Sequence, residues 1–166
     1  MIDRGGAGAG LEGGVPRGSE MFRRILVGWD GSAAAETALS AALHLVERYA
    51  GGGIVALSVL APASHAEAGE DRARDLASAR RLVVGRLSEV MARLGLDPAD
   101  ERIVHHVLED PHPATAIATY AVDHGFDLVI VGRRGRSGPG PLIGSVADRL
   151  VRAAAVPVLL VDAAGA

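Results

Sequence analysis

The residues of this chain best suited to chemistry fall in two short stretches far apart in sequence. The first is Gly28-Trp29-Asp30-Gly31-Ser32, at the end of the apolar burst Ile25-Leu26-Val27. The second begins Val131-Gly132-Arg133-Arg134-Gly135-Arg136 and closes with Gly144-Ser145-Val146, where a helical pattern starts. A carboxylate such as Asp30 can orient a ribose hydroxyl or face a magnesium ion carried by a phosphate chain. Glycines let a backbone approach a ligand closely or take positive φ. A helix start offers unpaired N–H groups and the positive end of its dipole, both of which attract anions. Ser145 adds a hydroxyl, and Arg133, Arg134 and Arg136 add charge, so the natural guest is a polyphosphate. Read locally, the same residues also fit a plain account: a turn at Asp30-Gly31, an N-cap at Gly144-Ser145, and solvated loop arginines.

Other chemistries find little support. The Gly-x-x-x-x-Gly-Lys-Ser/Thr and Gly-x-Gly-x-x-Gly patterns are absent, which disfavours kinase-type and dinucleotide-type sites. There is no cysteine, hence no disulfide, thiolate metal site or cysteine nucleophile. His105 and His106 are adjacent on an expected strand and so point to opposite faces. His44, His65, His112 and His124 share no ligand spacing with them, so no protein-built metal site is expected. No Gly-x-Ser-x-Gly elbow occurs, and no catalytic residue is assigned.

The positioning elements follow from periodicity. Apolar bursts at Arg23 to Asp30, Ile54 to Leu60, Arg102 to Leu108, Asp127 to Val131 and Val156 to Val161 read as strands. Between them, Ala33 to Ala50, Glu70 to Leu94, Ala114 to His124 and Ser145 to Ala154 read as helices. The second helix carries Leu76, Ala79, Val83, Leu87, Val90 and Leu94 down one side. Regular alternation argues for an α/β fold with a parallel sheet and helices on both faces. Ligands of such sheets sit beyond the carboxyl ends of the strands, where strand order reverses.

With 166 residues, one domain is expected over residues 22–163, after a disordered glycine-rich tail at residues 1–21. A chain of roughly 150 residues buries about 70% of its unfolded surface, so no staple is needed. The net charge of −3 carries no nucleic-acid footprint. The apolar runs fall short of the ~20 residues that a membrane span requires. A cytoplasmic location is expected, with no membrane partner.

Ile25-Leu26-Val27-Gly28-Trp29-Asp30-Gly31-Ser32, the Pro113 to Ile117 segment, and Gly132-x-x-Gly135 followed by Gly144-Ser145 together resemble the universal stress protein family, in particular its ATP-binding branch. The likeness runs from about Arg23 to Asp162. It implies a five-stranded parallel sheet of order 3-2-1-4-5, like that of the adenine nucleotide alpha hydrolases. It also implies a stress-response binding or signalling module holding ATP, or another adenine nucleotide, with magnesium. By the same resemblance Gly28, Trp29 and Asp30 lie near the adenosine and Ile54 touches the base, although read from the residues alone the Trp29 ring is better placed packing under a helix than stacking on a base. Val131, Gly132 and Gly135 line the ribose and phosphate path, and Gly144, Ser145 and Val146 hold the phosphates. A homodimer through Val156 to Val161 is implied too.

The spacer Arg136 to Ile143 is one residue shorter than the family signature. A one-residue deletion moves a loop by up to about 3.5 Å, and Pro139 and Pro141 lack N–H donors. That departure supports a second reading, a dimeric interaction protein of the same fold without nucleotide. Any hydrolysis is expected to be slow, for want of a base positioned to activate water. A third reading, an ATP pyrophosphatase, lacks its Ser-Gly-Gly-x-Asp-Ser loop.

Overall fold

The computed structural model of the chain describes residues 22–48, 52–60, 70–97, 100–135 and 143–163. The expected N-terminal tail and the two spacer prolines lie outside those residues. In chain order the elements are β1 (Arg24–Gly28), α1 (Ala33–Arg48), β2 (Gly53–Leu60), α2 (Glu70–Arg93), β3 (Ile103–Glu109), α3 (Pro113–Asp123), β4 (Leu128–Gly132), α4 (Ser145–Ala153) and β5 (Val158–Val161). The strands form one sheet of order β3-β2-β1-β4-β5, and every neighbouring pair is parallel. This is the order that the resemblance implies.

Strand periodicity sorts the core into two layers. Ile25 and Val27 of β1 pack with Leu39 of α1 and Leu87 of α2 on one face. Leu26, with Val129 and Val131 of β4, packs with Ile117 of α3 and Leu150 of α4 on the other. The chain therefore winds from β1 out to β3 under α1 and α2, and α3 then returns it over the opposite face to β4. The reversal falls between β1 and β4, so their carboxyl ends form the switch point where such sheets receive ligands.

Two glycines stop helices by the same device. Gly95 has φ +70°, its N–H reaches the Ala92 carbonyl at 3.1 Å, and the Leu96 N–H reaches that of Met91 at 2.9 Å. Gly125 repeats this after α3, with Phe126 bonded back to Ala121. In such a Schellman ending the residue after the glycine folds back onto the helix. This explains one departure from the expected stripe on α2: Leu96 packs on the core, while Leu94, just past the helix end, is 43% exposed.

Among the described residues Ser58, on β2, is the polar side chain of the buried core. Its hydroxyl donates to the Trp29 carbonyl at 2.8 Å and lies 3.0 Å from His105 Nε2. A hydroxyl has one proton to give, and here the carbonyl takes it. His105 Nε2 must then carry hydrogen and donate to Ser58. His106, on the other face of β3, meets the Tyr120 hydroxyl instead.

Burial, with His106 and Arg80 nearby, pushes His105 down to about 4 from its ordinary 6.5. Between those values the unfolded chain takes up a proton that the folded chain refuses, so stability falls as pH drops from 6.5 to 4. His105→Gln keeps an N–H donor and removes the titration. Denaturant midpoints across that window should fall less steeply for the variant than for the wild type; equal slopes would contradict the assignment.

Candidate functional site

Asp30 follows β1 and is fixed from its own turn. Its Oδ1 accepts the Ser32 N–H at 2.9 Å, across Gly31 at φ +76°. The Ser32 hydroxyl accepts the Ala35 N–H at 3.2 Å, and its carbonyl accepts that of Glu36 at 3.0 Å. Ser32 is thus the N-cap of α1. The other oxygen of Asp30 faces the loop that follows β4: a Cβ on Gly135 would stand 2.7 Å from Oδ2.

The rest of the seam is equally tight. A Cβ on Gly132 would meet the Cβ of Ala34 at 2.7 Å, and one on Gly28 would meet Val131 Cγ1 at the same distance. None of Gly28, Gly132, Gly135 and Gly144 has positive φ. Of the two reasons sequence offers for glycine here, close approach is the one that applies at Gly28, Gly132 and Gly135, whereas a Cβ on Gly144 would make only ordinary contacts.

The start of α4 closes the site. Gly144 donates to the Arg133 carbonyl at 2.8 Å, and a Cβ on it would lie 3.7 Å from the Gly135 nitrogen. The ends of the spacer therefore meet beside Asp30. Gly144, with extended φ and ψ, is the N-cap, and no side chain caps this helix. Ser145, read from sequence as the capping residue, is instead the first residue of the helix and is exposed together with Val146. Among the described residues, the amino end of α4, with the exposed Ser145 hydroxyl, thus follows a glycine that lies close to Gly135, itself beside Asp30.

Three expected site residues are placed elsewhere. Ile54 is the second residue of β2, level with Ile25 and Ile103, at the amino end of the sheet and 1% exposed. The β2 residue near Asp30 is Val59, since Gly28 pairs with Leu57. Its half-buried side chain belongs to the α3 and α4 face. Trp29 is 2% exposed and its indole N–H donates to the Val83 carbonyl of α2 at 3.0 Å, so the ring packs under a helix. Arg133 turns to Asp162: its Nε lies 2.9 Å from each carboxylate oxygen, and Arg134 reaches Oδ1 at 3.2 Å. The arginine hydrogen bonds, Arg133 first, hold the Asp162 carboxyl below its ordinary range.

Asp162 is invisible to a linear reading. Only the pairing of Gly132 with Val161 brings it beside the loop.

No group of side chains among the described residues has the geometry of a metal site, and none of the described helices is long and apolar enough to cross a membrane.

The model of the universal stress protein family matches residues 21–162. No curated protein sequence matches the chain. Among solved structures, the universal stress protein UspA from Lactobacillus plantarum superposes with a TM-score of 0.73 at 21% identity, covering 85% of this chain and 98% of its own. A universal stress protein in complex with cAMP gives 0.56 at 22% identity, covering 86% and 98%. A family protein from Arabidopsis thaliana with AMP bound gives 0.55 at 16%, covering 86% and 92%. At these identities the likeness is one of fold.

The glycine contacts carry a direct test. Gly132→Ala forces a methyl into Ala34 and should destabilise the protein by about 1–3 kcal/mol, the usual cost of overpacking. Gly53→Ala, whose added Cβ meets nothing nearer than the Arg102 carbonyl at 4.0 Å, should be near neutral. Urea unfolding of the two variants checks this, and equal effects would refute it.

Proposed function

Starting from the chain's membership of the universal stress protein family, we propose that it binds an adenine nucleotide, ATP with magnesium, at the β1–β4 switch point and serves as a stress-response binding or signalling module. The observation that carries this reading is the meeting of Asp30, Gly135 and Gly144 at the uncapped amino end of α4. Backbone N–H groups and the helix dipole there favour phosphate oxygens, and Ser145 and Val146 would take the terminal phosphates. Asp30 would accept from a ribose hydroxyl or face the magnesium carried by the nucleotide. Gly132 and Gly135 let Ala34 and Asp30 come close to the backbone that lines the site. The relatives solved with cAMP and with AMP support an adenine nucleotide as the ligand class.

The same residues argue for binding over turnover. Asp30, the carboxylate at the site, already accepts the Ser32 N–H and is committed to its turn. Hydrolysis would be slow at most, because positioning of the attacking water is a large part of phosphoryl-transfer catalysis.

A homodimer through β5 belongs to the same proposal. β5 is the end strand of the sheet, its Leu159 is exposed, and an open edge of this kind invites pairing. The second reading, a dimeric interaction protein without nucleotide, is favoured by one observation: Arg133 and Arg134 are engaged with Asp162.

Calorimetry on nucleotide-free protein separates the two. Magnesium-ATP should bind the wild type, and Gly135→Ala, which drives a methyl toward the Asp30 carboxylate, should weaken it by about tenfold or more, a loss of about 1.4 kcal/mol. Absence of binding at millimolar nucleotide would leave the interaction-protein reading standing. Light scattering should find a dimer at micromolar concentration under either reading; a monomer would count against β5 pairing.

A further inference from the structure

The buried hydroxyl of Ser58 has no role in the binding surface just described, yet it ends on that surface's backbone. The carbonyl it holds at 2.8 Å is that of Trp29. This carbonyl belongs to the peptide unit whose N–H is Asp30's own, and a peptide unit is planar. Orienting one side of the plane orients the other, and with it the start of the Asp30 side chain.

Trp29 is held at three points, of which the carbonyl bond is the one on this peptide unit. The Trp29 N–H donates to the Leu57 carbonyl at 2.8 Å, the Trp29 indole donates to Val83, and Ser58 donates to the Trp29 carbonyl. The Ser58 hydroxyl would otherwise be free to rotate. His105 Nε2, 3.0 Å away, fills its lone pair and leaves its proton aimed at that carbonyl. The tolerance is small, because Asp30 Oδ2 must settle within 2.7 Å of where a Gly135 Cβ would stand.

We propose that Ser58 and His105 are positioning residues of the nucleotide site, a hydrogen-bonded relay from β3 through β2 that sets the angle at which β1 presents Asp30. This rests on the adenine-nucleotide reading above. It adds what that reading does not require: two side chains outside the ligand's reach that govern how well the ligand is held.

A purely structural role would lower stability without acting through Asp30, and a double-mutant cycle distinguishes the two. Ser58→Ala should weaken magnesium-ATP binding about fivefold, the weight of one hydrogen bond of ordinary strength. In an Asp30→Ala background the same change should have no further effect on affinity. Denaturant unfolding of each variant reports the stability cost separately. His105 is half-buried on an edge strand, so its variants guard against a failure of Ser58→Ala to fold. His105→Gln, which keeps a donor, should bind as the wild type does, and His105→Leu should resemble Ser58→Ala. Wild-type affinity in Ser58→Ala and His105→Leu, or losses that multiply with Asp30→Ala, would overturn the relay while leaving the nucleotide reading intact. A wild type that binds no nucleotide would overturn both.

Discussion

Three glycines at the β1–β4 seam are each closely approached by a neighbour. A Cβ at Gly28, Gly132 or Gly135 would stand 2.7 Å from Val131 Cγ1, from the Cβ of Ala34 or from Asp30 Oδ2, respectively. Each missing methyl admits a different neighbour: a β4 side chain, the first turn of α1, and a carboxylate. The seam must close this tightly for Asp30, at the end of one strand, to meet a loop that leaves the adjacent strand.

Helix ends supply the second constraint. α1 spends its amino end on its own chain, because Ser32 caps it and Glu36 in its first turn complements the dipole. Glu36 in turn holds Arg86 and Arg93 of α2. α4 starts on Gly144, which has no side chain to give, and among the described residues no side chain caps it. Two helix starts flank one seam, one capped by a serine and one begun on glycine. The second stands where the spacer ends meet.

Much of this was legible before any coordinates. The alternation of apolar bursts with helical stripes led to the parallel α/β sheet, because strands buried on both faces read as continuous apolar runs. Asp30, Gly132, Gly135 and Gly144 stood out as punctuation at strand and helix ends, where local types carry information. What escaped depends on pairing across the sheet. Ile54 was placed at the site because strand identity is legible while position along the strand relative to its neighbours is not. Asp162 reaches Arg133 only through the β4–β5 register. Ser58 and His105 meet through the β2–β3 register.

The claim at the centre of this account is that an adenine nucleotide sits where β1 and β4 end and α4 begins. Backbone amide NMR of the protein titrated with magnesium-ATP tests it without any substitution. The account predicts shifts concentrated at Asp30 to Ser32, Gly132 to Gly135 and Gly144 to Ala147, with the amino-end residues Ile54 and Ile103 unmoved. Shifts centred on those amino-end residues, or none at saturating nucleotide, would contradict it.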